Sequence, residues 1–134
     1  MNRKFDPIKG RTSEIIDYIM SSKDIPADDD VRFKINLAVE EAVENVVDYA
    51  YGDGIGWLEA DTHMDDQGIF LTIALKDAGT PFNPLDNADP DLTVSAEERQ
   101  IGGLGIFLCK QLMDEISYRY EDGCNILTMK KKIG

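Results

Sequence analysis

The sequence predicts an α+β fold: a two-layer α/β sandwich with a mainly antiparallel mixed sheet and about three helices on one face. Three observations predict it. The periodic segments run helix, helix, strand pair, long loop, helix, hairpin. Both strand pairs are joined by short polar turns, which favours antiparallel pairing. The 134 residues suit one domain, residues 1–134, with one modest core.

The elements follow in order. Residues 3–9, RKFDPIK, offer an additional edge strand. Residues 12–22, TSEIIDYIMSS, read as a short helix with Ile15, Ile16 and Ile19 inward. Pro26 and the run Asp28–Asp29–Asp30 mark a new start, because acidic residues in a first turn complement the helix dipole. Residues 31–51, VRFKINLAVEEAVENVVDYAY, form the strongest helical pattern, with Ile35, Val39, Ala42, Val43, Val46 and Ala50 on one stripe. Gly52 and Gly54 stop it. Two strands lie within residues 56–66 and 68–78, around the turn DDQG. Residues 78–101 show no sustained period and hold Pro81, Pro84 and Pro90, the profile of a functional loop. Residues 102–116, GGLGIFLCKQLMDEI, read as a glycine-rich lead into a helix whose apolar face is Leu104, Phe107, Leu108 and Leu112. Residues 116–132 are two strands around Asp122–Gly123, a hairpin signal.

Composition narrows the function classes. A net charge of −12 argues against nucleic acid, which wants a basic face. The lysines of MKKKIG read as solvated residues ending an edge strand. No apolar run approaches the roughly 20 residues that span a bilayer, and MNRKFDPIKG lacks the apolar stretch of an export signal. Cys109 and Cys124 have no metal-like spacing. The expectation is a cytoplasmic protein with reduced thiols and no membrane partner.

Three constellations carry chemistry. In VEEAVENVVDYA, residues 39–50, Glu41 and Asn45 are four apart and share one flank of the helix, with Glu40 on the opposite flank. A carboxylate there can activate a nucleophile, and an amide oxygen can hold Mg²⁺; the plain alternative is a solvated polar face. In LKDAGTPFNP, residues 75–84, Asp77 ends an apolar strand. It can accept a hydrogen bond from an exocyclic amine, Gly79 leaves room for a flat ring, and Pro81 and Pro84 stiffen the exit; the alternative is a simple turn. In IGGLGIF, residues 101–107, three glycines at a helix start expose backbone N–H groups to an anion. Neither a Walker A loop nor a dinucleotide fingerprint fits that stretch.

Together, and in this order, these segments resemble the N-box, G1-box and G2-box of the GHKL ATPase superfamily, the Bergerat fold with its histidine-kinase-like ATPase domain. The likeness is strongest to the anti-sigma-factor serine/threonine kinases. It rests on LAVEEAVENVVDYAYGDG, LKDAGTPFNP and GGLGIFLCKQLMDEISYRYEDGCNILTMKKK and covers residues 28–133. The resemblance implies ATP and Mg²⁺ as cofactors. It makes Glu41 the acidic residue that activates the attacking group and Asn45 the Mg²⁺ ligand. Asp77 becomes the adenine reader with Gly79 beneath the ring, within an aspartate–x–glycine–x–proline–phenylalanine pattern that includes Pro81 and Phe82. Gly102, Gly103, Leu104 and Gly105 belong to the phosphate-wrapping segment. Residues 83–101 would be the ATP lid, in which Arg99 is a candidate for the γ-phosphate.

The implied function is phosphoryl transfer to a serine of a STAS-domain anti-anti-sigma protein, with a sigma factor as second partner and a homodimer as an option. The alternative is an ATP-gated module that sequesters its partner without transfer. His63 reads as a surface strand residue, Cys109 as a small core residue, and Tyr49 and Trp57 as packing residues.

Overall fold

A computed structural model describes residues 1–52, 54–86 and 103–133, with residues 86, 103 and 104 described by their backbone. The elements are β1 (Asn2–Phe5), α1 (Thr12–Met20), α2 (Asp29–Tyr49), β2 (Leu58–Met64), β3 (Phe70–Asp77), α3 (Gly103–Leu112), β4 (Glu115–Glu121) and β5 (Cys124–Lys132). A 3-10 turn, Pro84–Asp86, follows β3. The architecture is the expected α+β sandwich, with three α-helices and a five-stranded sheet, ordered β1-β2-β3-β5-β4, among the described residues. All four pairings are antiparallel, a more uniform sheet than the mixed one the sequence predicts. Hairpins build two of these pairings, and α3 returns the chain so that β5 aligns antiparallel to β3.

The long helix forms as its stripe predicts. Ile35, Val39, Ala42, Val43, Val46 and Ala50 are all buried, with Ala38 beside them. Asp28 caps its start by accepting the Val31 N–H at 3.0 Å, an interaction worth about 1 kcal/mol. Under α2 the sheet presents its inward side chains in rows. Ile73 lies between Thr62 and Met129, and Leu75 between Ala60 and Leu127. The next row is Leu58, Asp77 and Asn125. Thr62 aside, these rows are apolar until the last, where two buried polar residues, Asp77 at 4% exposure and Asn125 at 7%, face each other across the strands.

The remaining elements match or correct the sequence reading. RKFDPIK does supply the edge strand β1, and Phe5 enters the core. The β4–β5 turn uses Asp122 at φ 54° and Gly123 at φ 78°, the left-handed pair of a two-residue hairpin. The apolar face of α3 is shifted. Ile106, Cys109 and Met113 are buried, whereas Phe107, Leu108 and Leu112 are only half-buried. A ten-residue segment that is apolar on most sides does not fix its own phase, so packing against α2 decides it. The lysines of MKKKIG do not end an edge strand, because β5 lies between β3 and β4. Lys131 instead donates to the Leu112 carbonyl at 2.9 Å, at the C-terminal end of α3, where a cation offsets the helix dipole.

Candidate functional site

The polar last row of the core opens into a cleft between the C-terminal half of α2 and the exit of β3. Its walls include Asn45, Tyr49, Asp77, Thr80, Phe82 and Asn125. The structure therefore brings Asn45, on α2, together with Asp77 and Phe82 of the β3 exit, which lie far from it in sequence. The enclosed volume is about 30 Å³, room for a couple of water molecules. The Tyr49 and Phe82 rings lie 6.3 Å apart at this cleft and are each 44% exposed. Tyr49 thus belongs to the cleft as well as to the packing.

Asp77 is held from one side. Its Oδ1 accepts the Gly79 N–H at 2.9 Å and an Asn125 Nδ2–H at 3.0 Å. Among the described residues no donor reaches Oδ2. That oxygen is not among the fully buried unpaired atoms, so it meets solvent. Burial pushes the Asp77 carboxyl above the usual carboxylate range, opposed by the Asn125 and Gly79 hydrogen bonds. The result is one oriented acceptor at the floor of the cleft.

Gly79 has a tertiary reason to be glycine. A Cβ built on it would stand 1.9 Å from the Ala50 carbonyl oxygen and 2.5 Å from its carbon. The α2 backbone itself fills that side, and Thr80 N–H donates to the same Ala50 carbonyl at 3.0 Å. Tyr51 adds a second tie. Its hydroxyl donates to the Trp57 carbonyl at 2.6 Å and accepts the Ala78 N–H at 2.9 Å. Pro81 is exposed beside Phe82.

Asn125 is the residue that the motif reading missed. Its Nδ2 also lies 3.3 Å from the Gly79 carbonyl and 3.1 Å from the Thr80 carbonyl. Its Oδ1 accepts the Phe82 N–H at 3.1 Å and the Tyr118 hydroxyl. The signal was present in the sequence: Asn125 is in strand phase with the inward Leu127 and Met129.

One turn up α2 from Asn45, Glu41 faces α3. A Cβ on Gly105 would lie 2.8 Å from Glu41 Oε2, so the glycine is what lets the carboxylate sit there. Burial raises the Glu41 carboxyl, and the charges of Glu44 and Glu40 add to the shift. Glu44 itself is exposed. Glu41 does not line the cleft floor but stands beside the first described turn of α3, where the N–H groups of Gly103, Leu104 and Gly105 have no helical partner among the described residues. The Asn45 carboxamide makes no hydrogen bond among the described residues. No group of three His, Cys, Asp or Glu able to hold a metal occurs among them. A cation here would share Asn45 with oxygens of a ligand, which fits Mg²⁺ held against phosphates. Gly102, Arg99 and the lid beyond residue 86 lie outside the described residues.

The residues set aside by the sequence reading are placed accordingly. His63 is exposed and pairs with Asp61 Oδ2 at 3.0 Å. Cys109 is fully buried, its Sγ–H donating to the Ala38 carbonyl at 3.3 Å. Burial and then the Glu41 charge push its thiol up to about 12, which keeps it unreactive at neutral pH. Trp57 carries Lys4 Nζ 4.4 Å over its ring. No helix among the described residues is long and apolar enough to cross a membrane.

Comparison with known proteins meets this geometry. Residues 9–131 match the histidine kinase-like ATPase domain. The chain is 31% identical over 100 residues to the serine/threonine-protein kinase BtrW of Bordetella bronchiseptica, covering 74% of this chain and 69% of BtrW. It is 30% identical over 101 residues to the serine-protein kinase RsbW of Listeria innocua, covering 72% of this chain and 63% of that protein. It is 32% identical over 106 residues to the RsbW of Halalkalibacterium halodurans, covering 72% and 60%. The chain thus spans less than two thirds of the two RsbW proteins.

Proposed function

This chain belongs to the family of histidine kinase-like ATPase domains, and from that membership we propose that it binds ATP with Mg²⁺ and acts as a serine/threonine protein kinase of the anti-sigma-factor type. Its phosphate acceptor is a serine on a STAS-domain anti-anti-sigma protein, and a sigma factor is its second partner. One observation carries the reading: the cleft floor holds a carboxylate fixed on one oxygen, with the other facing solvent. That is the acceptor an exocyclic adenine amine needs. The relatives are named as serine kinases, which supports the transfer step.

The roles follow from position. Asp77 Oδ2 accepts the base amine. Asn45 would hold Mg²⁺ through its amide oxygen, and the bound ion would supply neutralisation of the phosphate charge. The first turn of α3 presents backbone N–H groups to the phosphate oxygens, which matters in a chain of net charge −12. Glu41 takes the proton of the attacking serine hydroxyl as the new oxygen–phosphorus bond forms. The bond from the γ-phosphorus to its bridging oxygen breaks, and ADP leaves. A carboxyl raised by burial is better matched to that proton than an ordinary glutamate.

Calorimetric titration of ATP, with and without Mg²⁺, tests the pocket. Saturable Mg²⁺-dependent binding that weakens by about 30-fold in Asp77→Asn is expected, and a protein that binds no nucleotide sinks the proposal. Incubation with labelled ATP and STAS-domain proteins then tests transfer. ATP binding without phosphoserine, together with partner control that survives Glu41→Ala, would mark an ATP-gated sequestering module instead.

A further inference from the structure

The side chain with the most contacts around the cleft is one that the motifs leave unassigned. Asn125 stands opposite Asp77 in the β3–β5 register and is buried at 7% exposure. Its carboxamide does two things at once. The Nδ2 side donates to Asp77 Oδ1, the oxygen already taken by Gly79 N–H, so both of that oxygen's acceptor positions are filled. The carboxylate cannot rotate without breaking a charge-assisted hydrogen bond, and Oδ2 is left as the open acceptor of a residue that lines the cleft. The same amide meets the carbonyls of Gly79 and Thr80, and its oxygen takes the Phe82 N–H. One side chain therefore ties the base-reading carboxylate to segment 79–82, whose last ring shares the mouth of the cleft with Tyr49.

We propose that Asn125 is the positioning residue for base selection: it fixes the Asp77 carboxylate in the one orientation that accepts a 6-aminopurine, and it binds that carboxylate to the segment carrying Phe82. This rests on the nucleotide-binding reading above. Selection between a 6-amino and a 6-oxo purine depends on a single acceptor of fixed direction. A carboxylate free to turn presents the same charge but no preferred direction, so selectivity falls further than affinity. The carboxamide is needed in full. An isosteric carboxylate keeps the acceptor toward Phe82 N–H and Tyr118 but sets a negative oxygen against Asp77.

The test compares the affinities of ADP and inosine diphosphate, each with Mg²⁺, for the wild type, Asn125→Ala, Asn125→Asp and Asp77→Asn. The wild type is expected to prefer ADP. Both Asn125 variants are expected to lose that preference by on the order of tenfold, the worth of one fixed hydrogen bond. Asn125→Asp should lose the most. A role confined to stability would weaken both nucleotides alike and keep their ratio, and an unchanged ratio overturns the proposal. A second measurement needs no variant. In nuclear magnetic resonance of the wild type, the Asn125 side-chain amide protons should exchange slowly with solvent, both empty and with ADP bound. Fast exchange in either state overturns the proposal. The two readings fail differently: a wild type that binds neither nucleotide removes both, whereas ADP binding lost in Asp77→Asn but selective as wild type in the Asn125 variants removes only this one.

Discussion

Two glycines mark the two ends of the proposed site, the end assigned to the base and the end assigned to the phosphates, and they are glycine for opposite reasons. At the base end, Gly79 presses its Cα on the Ala50 carbonyl, and a Cβ would stand 1.9 Å from that oxygen. At the phosphate end, Gly105 faces the tip of a side chain, Glu41 Oε2, at 2.8 Å from where its Cβ would be. Backbone against backbone has nowhere to go, whereas a carboxylate on a three-bond stem can turn away. The base end is also dense in hydrogen bonds, from Asp77, Asn125, Tyr51 and Thr80. At the phosphate end, Asn45 has no such partner among the described residues. The first end is tied together by hydrogen bonds, and the second leaves the Asn45 carboxamide unpaired among the described residues.

The sharpest way to break this contrast is at Glu41. Glu41→Gln keeps the shape and removes the base, so transfer should fall by about 10²–10⁴-fold while ATP affinity stays close to wild type. A comparable loss of ATP binding by calorimetry would show that Glu41 belongs to binding instead. Next comes Gly79→Ala, expected to destabilise the fold by about 3 kcal/mol, read as a lower urea midpoint. A neutral result would mean that α2 yields at Ala50. Asp77→Asn should weaken ATP binding by about 30-fold with an unchanged circular dichroism spectrum, because an amide oxygen can still accept from Gly79 and Asn125. The smallest stability change belongs to Gly105→Ala. Helix propensity favours it by about 0.5–1 kcal/mol, so stability should hold or rise slightly while the displaced Glu41 slows transfer. Similar destabilisation by both glycine substitutions would erase the contrast.

Acidity offers a further handle on the same pair of ends. The Glu41 carboxyl is raised above its ordinary value of 4.5, first by burial and then by Glu44 and Glu40. The folded state therefore holds the proton more tightly than the unfolded one. That contribution to stability is complete below the unfolded value and is lost as pH rises through the folded one. Glu41→Gln should thus gain stability relative to wild type as pH climbs above 4.5. Transfer by the wild type should rise over the same interval, as the base ionises.

How much of this could be read from residues alone depends on where the cause lies. The α2 stripe and the Asp122–Gly123 turn are local, and both formed as written. Asn45, Asp77 and Phe82 were found by motif, and the fold does bring them to one cleft. What escaped has tertiary causes. The phase of α3 is set by α2, and the place of β5 inside the sheet is set by how the last hairpin docks. Gly79 looked like room for a ligand, but its constraint comes from Ala50, 29 positions earlier in the numbering. Asn125 was legible in principle, as a polar residue in phase with Leu127 and Met129, but its partner lies 48 residues away.

That separation bears on how the protein comes into being. β5 follows the other four strands of the sheet in the chain, yet it takes a place inside that sheet, between β3 and β4. Until it docks, β3 has an open side and Asp77 has no cross-strand neighbour on it. Nascent chains that stop before Cys124 would carry the three sequence boxes in full and lack the Asn125 tie to Asp77. On the proposed role of Asn125, nucleotide selectivity would be a property of the finished sheet and a late marker of correct folding.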